Sequence, residues 1–287
     1  MKLPRFNYHR PSTVAQAVAL LAERGPDAAA LAGGQSLVPS LALRDRRPAE
    51  IVDLNGIEDL VGVESSDGVL SIGAMTRQRV VELDETIALL CPLLAAAVGR
   101  TGHVSVRNRG TIGGAIAHAN PAAEIPTAAL ALDAQVLVVG QGGEHAVPMG
   151  ELLSDPFTTT LRAGELVTAL RIPLPTVHTG YGFREVSHPV GSQPVVCVAA
   201  AVRLRRDGLV RNARVAVSGR GAPPVLVDVT ASLTDGNAPD LIAGAMRFVA
   251  EAAEGHGPGP EYCRAAARKL ARAALAEATG GRYGEES

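Results

Sequence analysis

The sequence predicts an α+β protein, and three observations predict it. The first fifty residues alternate helical and strand patterns at the spacing of a small parallel unit. From about residue 57, apolar strands flank glycine-centred turns, the pattern of antiparallel hairpins. Two helical stretches then close the chain. With 287 residues, 47% of them apolar and 20% charged, a packed core is within reach and global disorder is excluded.

The elements follow in order. Ser12 is the expected N-cap of a helix whose Val14, Ala17, Val18, Leu20 and Leu21 share one face, and Gly25-Pro26 stops it. Ala28 to Leu31 is a short strand broken by Gly33-Gly34-Gln35-Ser36. A short helix follows from Leu37, then a second strand from Ala49 to Leu54. Val61–Glu64 and Val69–Ile72 flank one turn at Ser65-Ser66-Asp67-Gly68, and Gln135–Val139 and Glu144–Val147 flank another at Gly140–Gly143. Helical stretches near Thr76–Leu83 and Pro92–Arg100 lie between these hairpins. A looser, Pro- and Gly-rich segment runs from Pro173 to Pro194, and a domain boundary is placed inside it near residue 177. Beyond it, Val195–Arg205 and Leu209–Ser218 form a third hairpin around Arg206-Asp207-Gly208. Helices over about Pro239–Ala253 and Pro260–Ala278 precede a frayed tail, Gly280–Ser287. Arg264, Arg268, Lys269 and Arg272 on the last helix read as a solvated face.

Composition narrows function. Lys and Arg number 27 against 29 Asp and Glu, a formal charge of −2, so no basic excess serves a phosphate backbone. Aromatic residues make up 3% and Trp is absent, so platforms for base stacking are poorly supplied. No run approaches the ~20 apolar residues that cross a bilayer, and the N-terminus has no apolar signal core. The expectation is a cytoplasmic protein with no nucleic-acid or membrane partner. Cys91, Cys197 and Cys263 stand far apart among apolar neighbours, so neither a disulfide framework nor an iron–sulfur run is present. The histidines have no metal-ligand spacing, and no catalytic Ser/His/Asp or Cys/His array can be assembled.

Two glycine loops carry the chemistry. One is Ala32-Gly33-Gly34-Gln35-Ser36-Leu37, directly after a strand. The other is Arg109-Gly110-Thr111-Ile112-Gly113-Gly114-Ala115. Glycine admits tight turns and lets a ligand approach the backbone, so successive N–H groups can form an anion cradle. Ser36 and Thr111 add a hydroxyl beside each cradle. Taken singly, each Gly-Gly pair also reads as a plain turn, and neither loop is a Gly-x-Gly-x-x-Gly fingerprint or a P-loop. Facing each other, they would suit the two phosphates of a dinucleotide.

At these residues a resemblance emerges. Leu31-Ala32-Gly33-Gly34-Gln35-Ser36-Leu37-Val38-Pro39 and Val106-Arg107-Asn108-Arg109-Gly110-Thr111-Ile112-Gly113-Gly114 resemble the flavin-binding medium subunit of molybdenum hydroxylases, the carbon monoxide dehydrogenase and xanthine dehydrogenase family. The likeness continues through Ile72-Gly73-Ala74-Met75-Thr76, His118-Ala119-Asn120-Pro121-Ala122-Ala123-Glu124-Ile125-Pro126, Gly164-Glu165-Leu166, Arg171-Ile172-Pro173 and Glu261-Tyr262-Cys263-Arg264. It implies the two-subdomain FAD-binding fold of the vanillyl-alcohol-oxidase/PCMH type over residues 1–177, with subdomains of about 1–56 and 57–177. A small α+β C-terminal domain over 178–287 follows.

The resemblance further implies FAD with its pyrophosphate held by Ala32, Gly33, Gly34, Gln35, Ser36 and Leu37 on one side and Thr111, Gly113, Gly114 and Ala115 on the other. Thr101 and Gly102 match a stretch approaching the cofactor, and Leu166 matches an apolar residue near the flavin ring. Arg184 falls where a basic residue often sits, His118 lines the pocket, and Glu124 offers a carboxylate. The chain departs from the family pattern where Ala115 replaces Asn, Asn120 replaces Asp and Glu124 replaces Asp, and where Ser187–Gln193 lacks an Arg-x-x-Asp texture. Losing the Asn side chain removes a hydrogen bond worth ~1 kcal/mol. The implied partners are a small iron–sulfur subunit and a large molybdenum subunit, in a heterotrimer that can pair. The residues also leave open a stand-alone flavin oxidoreductase and a structural subunit whose flavin site has decayed.

Overall fold

A computed structural model describes residues 2–175, 178–187, 193–233, 236–251 and 259–281. The expected boundary near residue 177, the loop residues 188–192, the end of the penultimate helix at Ala253 and most of the expected frayed tail lie outside these residues.

The N-terminal unit is a three-stranded parallel sheet in the order β1 (Asn7–His9), β3 (Glu50–Asp53), β2 (Ala28–Leu31). The helix Val14–Arg24 buries Ala17, Val18 and Leu21, the face that the apolar spacing marks. Its cap is Thr13 rather than Ser12: the Thr13 hydroxyl accepts a bond from Gln16 N at 3.2 Å, and Ser12 instead donates to the Gln16 side chain. Gly25 ends the helix with φ of 56°. Strand β1 escapes the sequence reading because three mostly exposed residues carry no periodicity.

The second sheet has the order β4 (Val63–Ser66), β5 (Val69–Gly73), β10 (Leu166–Pro173), β6 (Gln135–Gly140), β7 (Gly143–Pro148), all antiparallel. The two expected hairpins are β4–β5 and β6–β7. The strand that joins them, β10, is central and buried on both faces, so it shows no alternation. Helices Gln78–Leu83, Glu85–Leu90, Pro92–Arg100, Ile112–His118 and Glu124–Ala131 pack on this sheet around Leu70, Ile72, Leu94, Ile112 and Ile125. Strands β8 (Leu153–Asp155) and β9 (Thr158–Thr159) form a small separate pair.

The third sheet runs β11 (Thr179–Val186), β12 (Val196–Leu204), β13 (Val210–Gly219), β14 (Ala222–Asp228). Here the segment expected to be loose contains a full strand. Gly180 and Gly182 are not loop residues: a Cβ on either would collide with the backbone carbonyl of Ala278 or Ala274. They let the helix Pro260–Thr279 lie directly on β11, with Ala267, Ala271, Ala274 and Ala278 on its buried face. Strand β12 is buried on both sides. Val196, Val198, Ala200 and Val202 face this closing helix, while Cys197, Ala199 and Ala201 join the core of the second sheet. Among the described residues, no helix is long and apolar enough to cross a membrane.

Candidate functional site

The parallel unit and the second sheet meet along the two glycine loops. They meet through backbone: a Cβ on Gly33 would overlap Arg109 O and lie 2.8 Å from Gly110 Cα. A Cβ on Gly114 would lie 3.3 Å from Ala32 Cβ. An open cavity of about 570 Å³ runs beside this contact, in the size range of small-molecule and cofactor sites. Its walls include Ala32, Gly33, Gly34, Gln35, Ser36 and Leu37 from the first loop and Thr111, Gly113, Gly114 and Ala115 from the second. Thr101, Gly102, His118, Glu124 and Leu166 line it too. The structure thus brings into one cavity every residue singled out from the sequence except Arg184. That residue lies on β11, where its guanidinium pairs with Glu277 of the closing helix at 2.5 Å and donates to Phe183 O at 2.9 Å.

The loops differ in what they offer. Gly34 turns the first loop with φ of 75°, and Ser36 starts the helix Leu37–Leu43 without using its side chain as a cap. Among the described residues, the N–H groups of Gly33, Gly34, Gln35 and Ser36 have no protein acceptor. This is the cradle expected from the sequence. The second loop is otherwise engaged. Ile112 N donates to Thr76 O, Gly113 N to Ala74 O at 2.8 Å, and Ala115 N to Thr111 O. Gly114 N donates to the Thr111 hydroxyl at 3.1 Å. The expected second cradle is therefore corrected to a wall: the N–H groups from 112 to 115 are taken up by Ala74 and Thr76, just past β5, and by the N-cap of the helix Ile112–His118.

Arg107, which sequence reasoning used only as part of a motif, fixes another wall. Its guanidinium makes two bonds to Glu82, at 2.7 and 2.9 Å, and two to the carbonyls of Thr101 and Gly102, at 3.1 and 2.8 Å. Four of its five N–H donors are thus engaged, so it is a buried pillar rather than a free cation. Arg107 holds the Glu82 carboxyl below its usual range. Gln78 was missed as well. It is buried on the cavity wall, its amide nitrogen reaching Thr111 O at 3.5 Å.

Glu124 opens the helix Glu124–Ala131 and is 4% exposed. Burial raises its carboxyl to about 7, with the charge of Glu185 adding to the shift; its own backbone N–H, Thr101 and Arg107 oppose it. Near neutral pH it divides between an acceptor-only carboxylate and a carboxylic acid that can donate, where the sequence reading expected the carboxylate alone. His118 packs against Phe157, ring centroids 5.2 Å apart, and burial, with Arg46 nearby, lowers its tendency to protonate. The three thiols are buried, and burial pushes Cys91 up to about 12, which makes it inert. Among the described residues, no cluster of His, Cys, Asp and Glu could hold a metal ion.

The geometry fits a dinucleotide: a cavity of about 570 Å³, a glycine turn whose N–H groups have no protein acceptor among the described residues, and two loops that meet backbone to backbone. Comparison with known proteins agrees. The family described as the FAD binding domain in molybdopterin dehydrogenase matches residues 4–175. The 6-hydroxypseudooxynicotine dehydrogenase complex subunit alpha of Paenarthrobacter nicotinovorans is 39% identical over 243 residues, 82% of either chain. The carbon monoxide dehydrogenase medium chain of Afipia carboxidovorans is 31% identical, covering 93% of this chain and 95% of its own. A crystal structure of the Cu,Mo-CO dehydrogenase superposes with a TM-score of 0.90 at 29% identity, over 98% of this chain and 100% of that one. The chain belongs to the FAD-binding medium-subunit family of the molybdenum hydroxylases.

Proposed function

We propose that this chain binds one FAD in the cavity between its glycine loops and relays electrons within a molybdenum hydroxylase. Electrons arrive from iron–sulfur clusters on a small partner subunit and leave to an external acceptor; substrate is oxidised at a molybdenum cofactor on a large subunit. The observation that carries the reading is the cradle at Gly33–Ser36, four N–H groups with no acceptor among the described residues, beside a cavity of about 570 Å³. When bound, FAD supplies the redox chemistry. The chain's own residues bind and orient it. Gly33, Gly34, Gln35 and Ser36 would donate to the pyrophosphate, and Thr111, whose hydroxyl caps the helix Ile112–His118, would wall it from the second loop. Leu166, buried at the start of β10, keeps water from the ring, and Glu124 holds a proton at its carboxyl oxygen near neutral pH.

Three further assignments belong to this reading. The FAD-binding domain comprises residues 1–177, divided near residue 56, and the C-terminal domain 178–287. The complex is a heterotrimer able to pair, in a reducing compartment such as the cytoplasm, where the three buried thiols stay reduced. Substrate identity resides in the large subunit: relatives of this chain carry the names of substrates as unlike as 6-hydroxypseudooxynicotine and carbon monoxide.

The test is an absorption spectrum of the purified chain, before and after adding FAD, with release of the cofactor by denaturation. One FAD per chain, and no substrate oxidation until the two partner subunits are added, is the expected result. Failure to bind added FAD would favour a decayed site, and turnover by the isolated chain would favour a stand-alone enzyme.

A further inference from the structure

Behind the contact between the loops lies a chain of polar groups that does not border the cavity. Asn55 donates through Nδ2 to Ala32 O at 2.9 Å and to Asp53 Oδ1 at 2.5 Å. With Nδ2 facing two acceptors, Asn55 Oδ1 must face a donor, and Arg77 Nη2 lies 2.6 Å from it. The other terminal nitrogen of Arg77 donates to Arg109 O. Arg77 and Asn55 thus join the carbonyl of Ala32, in the first loop, to that of Arg109, in the second. Asp53 anchors the near end: it also accepts from Asn55 N at 2.9 Å and from the Tyr8 hydroxyl. Asp53 is 7% exposed and supplies the negative charge that faces Arg77 through the amide.

Both carbonyls flank the point where Gly33 rests on Arg109 and Gly110. Without the guanidinium, Asn55 Oδ1 and Arg109 O would lose the donor that ties them together, and the link between the loops would be cut. We infer that Arg77 and Asn55 are a brace that sets the spacing of the two glycine loops, and through that spacing the tightness with which FAD is held. They are positioning residues, since neither lines the cavity. The inference rests on the reading of the cavity as an FAD site. Planarity matters: a guanidinium can donate to two acceptors in fixed directions, whereas an ammonium is a single point donor.

The experiment is FAD titration and dissociation kinetics on the full chain for Arg77→Ala, Asn55→Ala, the double variant, Arg77→Lys and Asn55→Asp, alongside thermal melts without FAD. Because the two residues act in series, each alanine variant should raise Kd about ten-fold, mostly through faster release, and the double variant should be no worse than the poorer single one. Arg77→Lys should fall between wild type and Arg77→Ala. Asn55→Asp keeps a partner for Arg77 but turns an acceptor toward Ala32 O, so it should bind as poorly as Asn55→Ala. A merely stabilising contact would lower the melting temperature and leave the Kd of the folded chain within two-fold of wild type. That result, or additive losses in the double variant, overturns the brace. Should Arg77→Ala not fold, Arg77→Lys and Asn55→Asp decide by the same criteria. Wild-type protein that binds no FAD removes the underlying reading and the brace together, whereas tight wild-type binding with unaltered variants removes the brace alone.

Discussion

At Gly33–Ser36 the backbone N–H groups have no acceptor among the described residues, whereas those of Ile112, Gly113, Gly114 and Ala115 are bonded to Thr76, Ala74 and Thr111. In sequence the two segments look equivalent: paired glycines with a hydroxyl residue beside them. In the fold the first is a recognition surface and the second a packed edge of the second sheet. Glycine marks a place where backbone comes close to something. Only the partner's identity says whether that something is ligand or protein, and it is set by residues far along the chain.

The sharpest way to break this comparison is to crowd the packed loop. A Cβ on Gly113 would overlap Ala74 Cβ and lie 2.9 Å from Ala74 Cα, just past β5, where backbone yields little. Gly113→Val is expected to cost about 4 kcal/mol or to prevent folding, as overpacking against rigid backbone does at its most severe. Denaturant unfolding of the flavin-free chain measures it. A loss below about 1 kcal/mol would mean that the second loop is as adaptable as the first.

How much of this was legible follows the range of the cause. Turn chemistry is local, so the hairpins around Asp67-Gly68 and Gln141-Gly142 could be read directly. Helix Val14–Arg24 announced its buried face by spacing, although its cap lay one residue further on. Strand β11 was misread because Gly180 and Gly182 look like loop residues until the closing helix, about ninety residues later, is placed on them. The glycine loops and a part of the cavity wall were legible, through motif and resemblance together. The saturation of the second loop was not, since it depends on Ala74 and Thr76. Nor was the diversion of Arg184 to Glu277, or the pillar formed by Arg107 with Glu82.

A second prediction extends the comparison to Glu124, downstream of the packed loop. Its carboxyl is raised to about 7 from an ordinary value of 4.5, with burial the leading cause. As pH climbs from 4.5, the unfolded chain gives up this proton before the folded chain does. Stability from this group is therefore complete below about pH 4.5 and is lost as pH rises through 7, a change of about 3 kcal/mol. Glu124→Gln removes the titration while keeping shape. Unfolding free energies at pH 5 and pH 8 should fall more steeply in wild type than in Glu124→Gln. Parallel pH profiles would mean that Glu124 is solvated and has no part in the cavity wall.

The smallest expected effect separates the two hydroxyls. Thr111 caps the helix Ile112–His118 by accepting from Gly114 N, so Thr111→Ala should lower stability by about 1 kcal/mol. Ser36 makes no such bond and is exposed, so Ser36→Ala should leave the melting temperature of the flavin-free chain unchanged. Its hydroxyl sits instead beside the free N–H groups of the first loop, in the cavity wall. Losing one hydrogen bond to a phosphate oxygen, an acceptor that carries charge, should weaken FAD binding by about ten-fold. Paired melts and FAD titrations on both variants give four numbers. If Ser36→Ala loses stability and keeps its affinity, the first loop is packed like the second, and the distinction between recognition and packing fails at its simplest point.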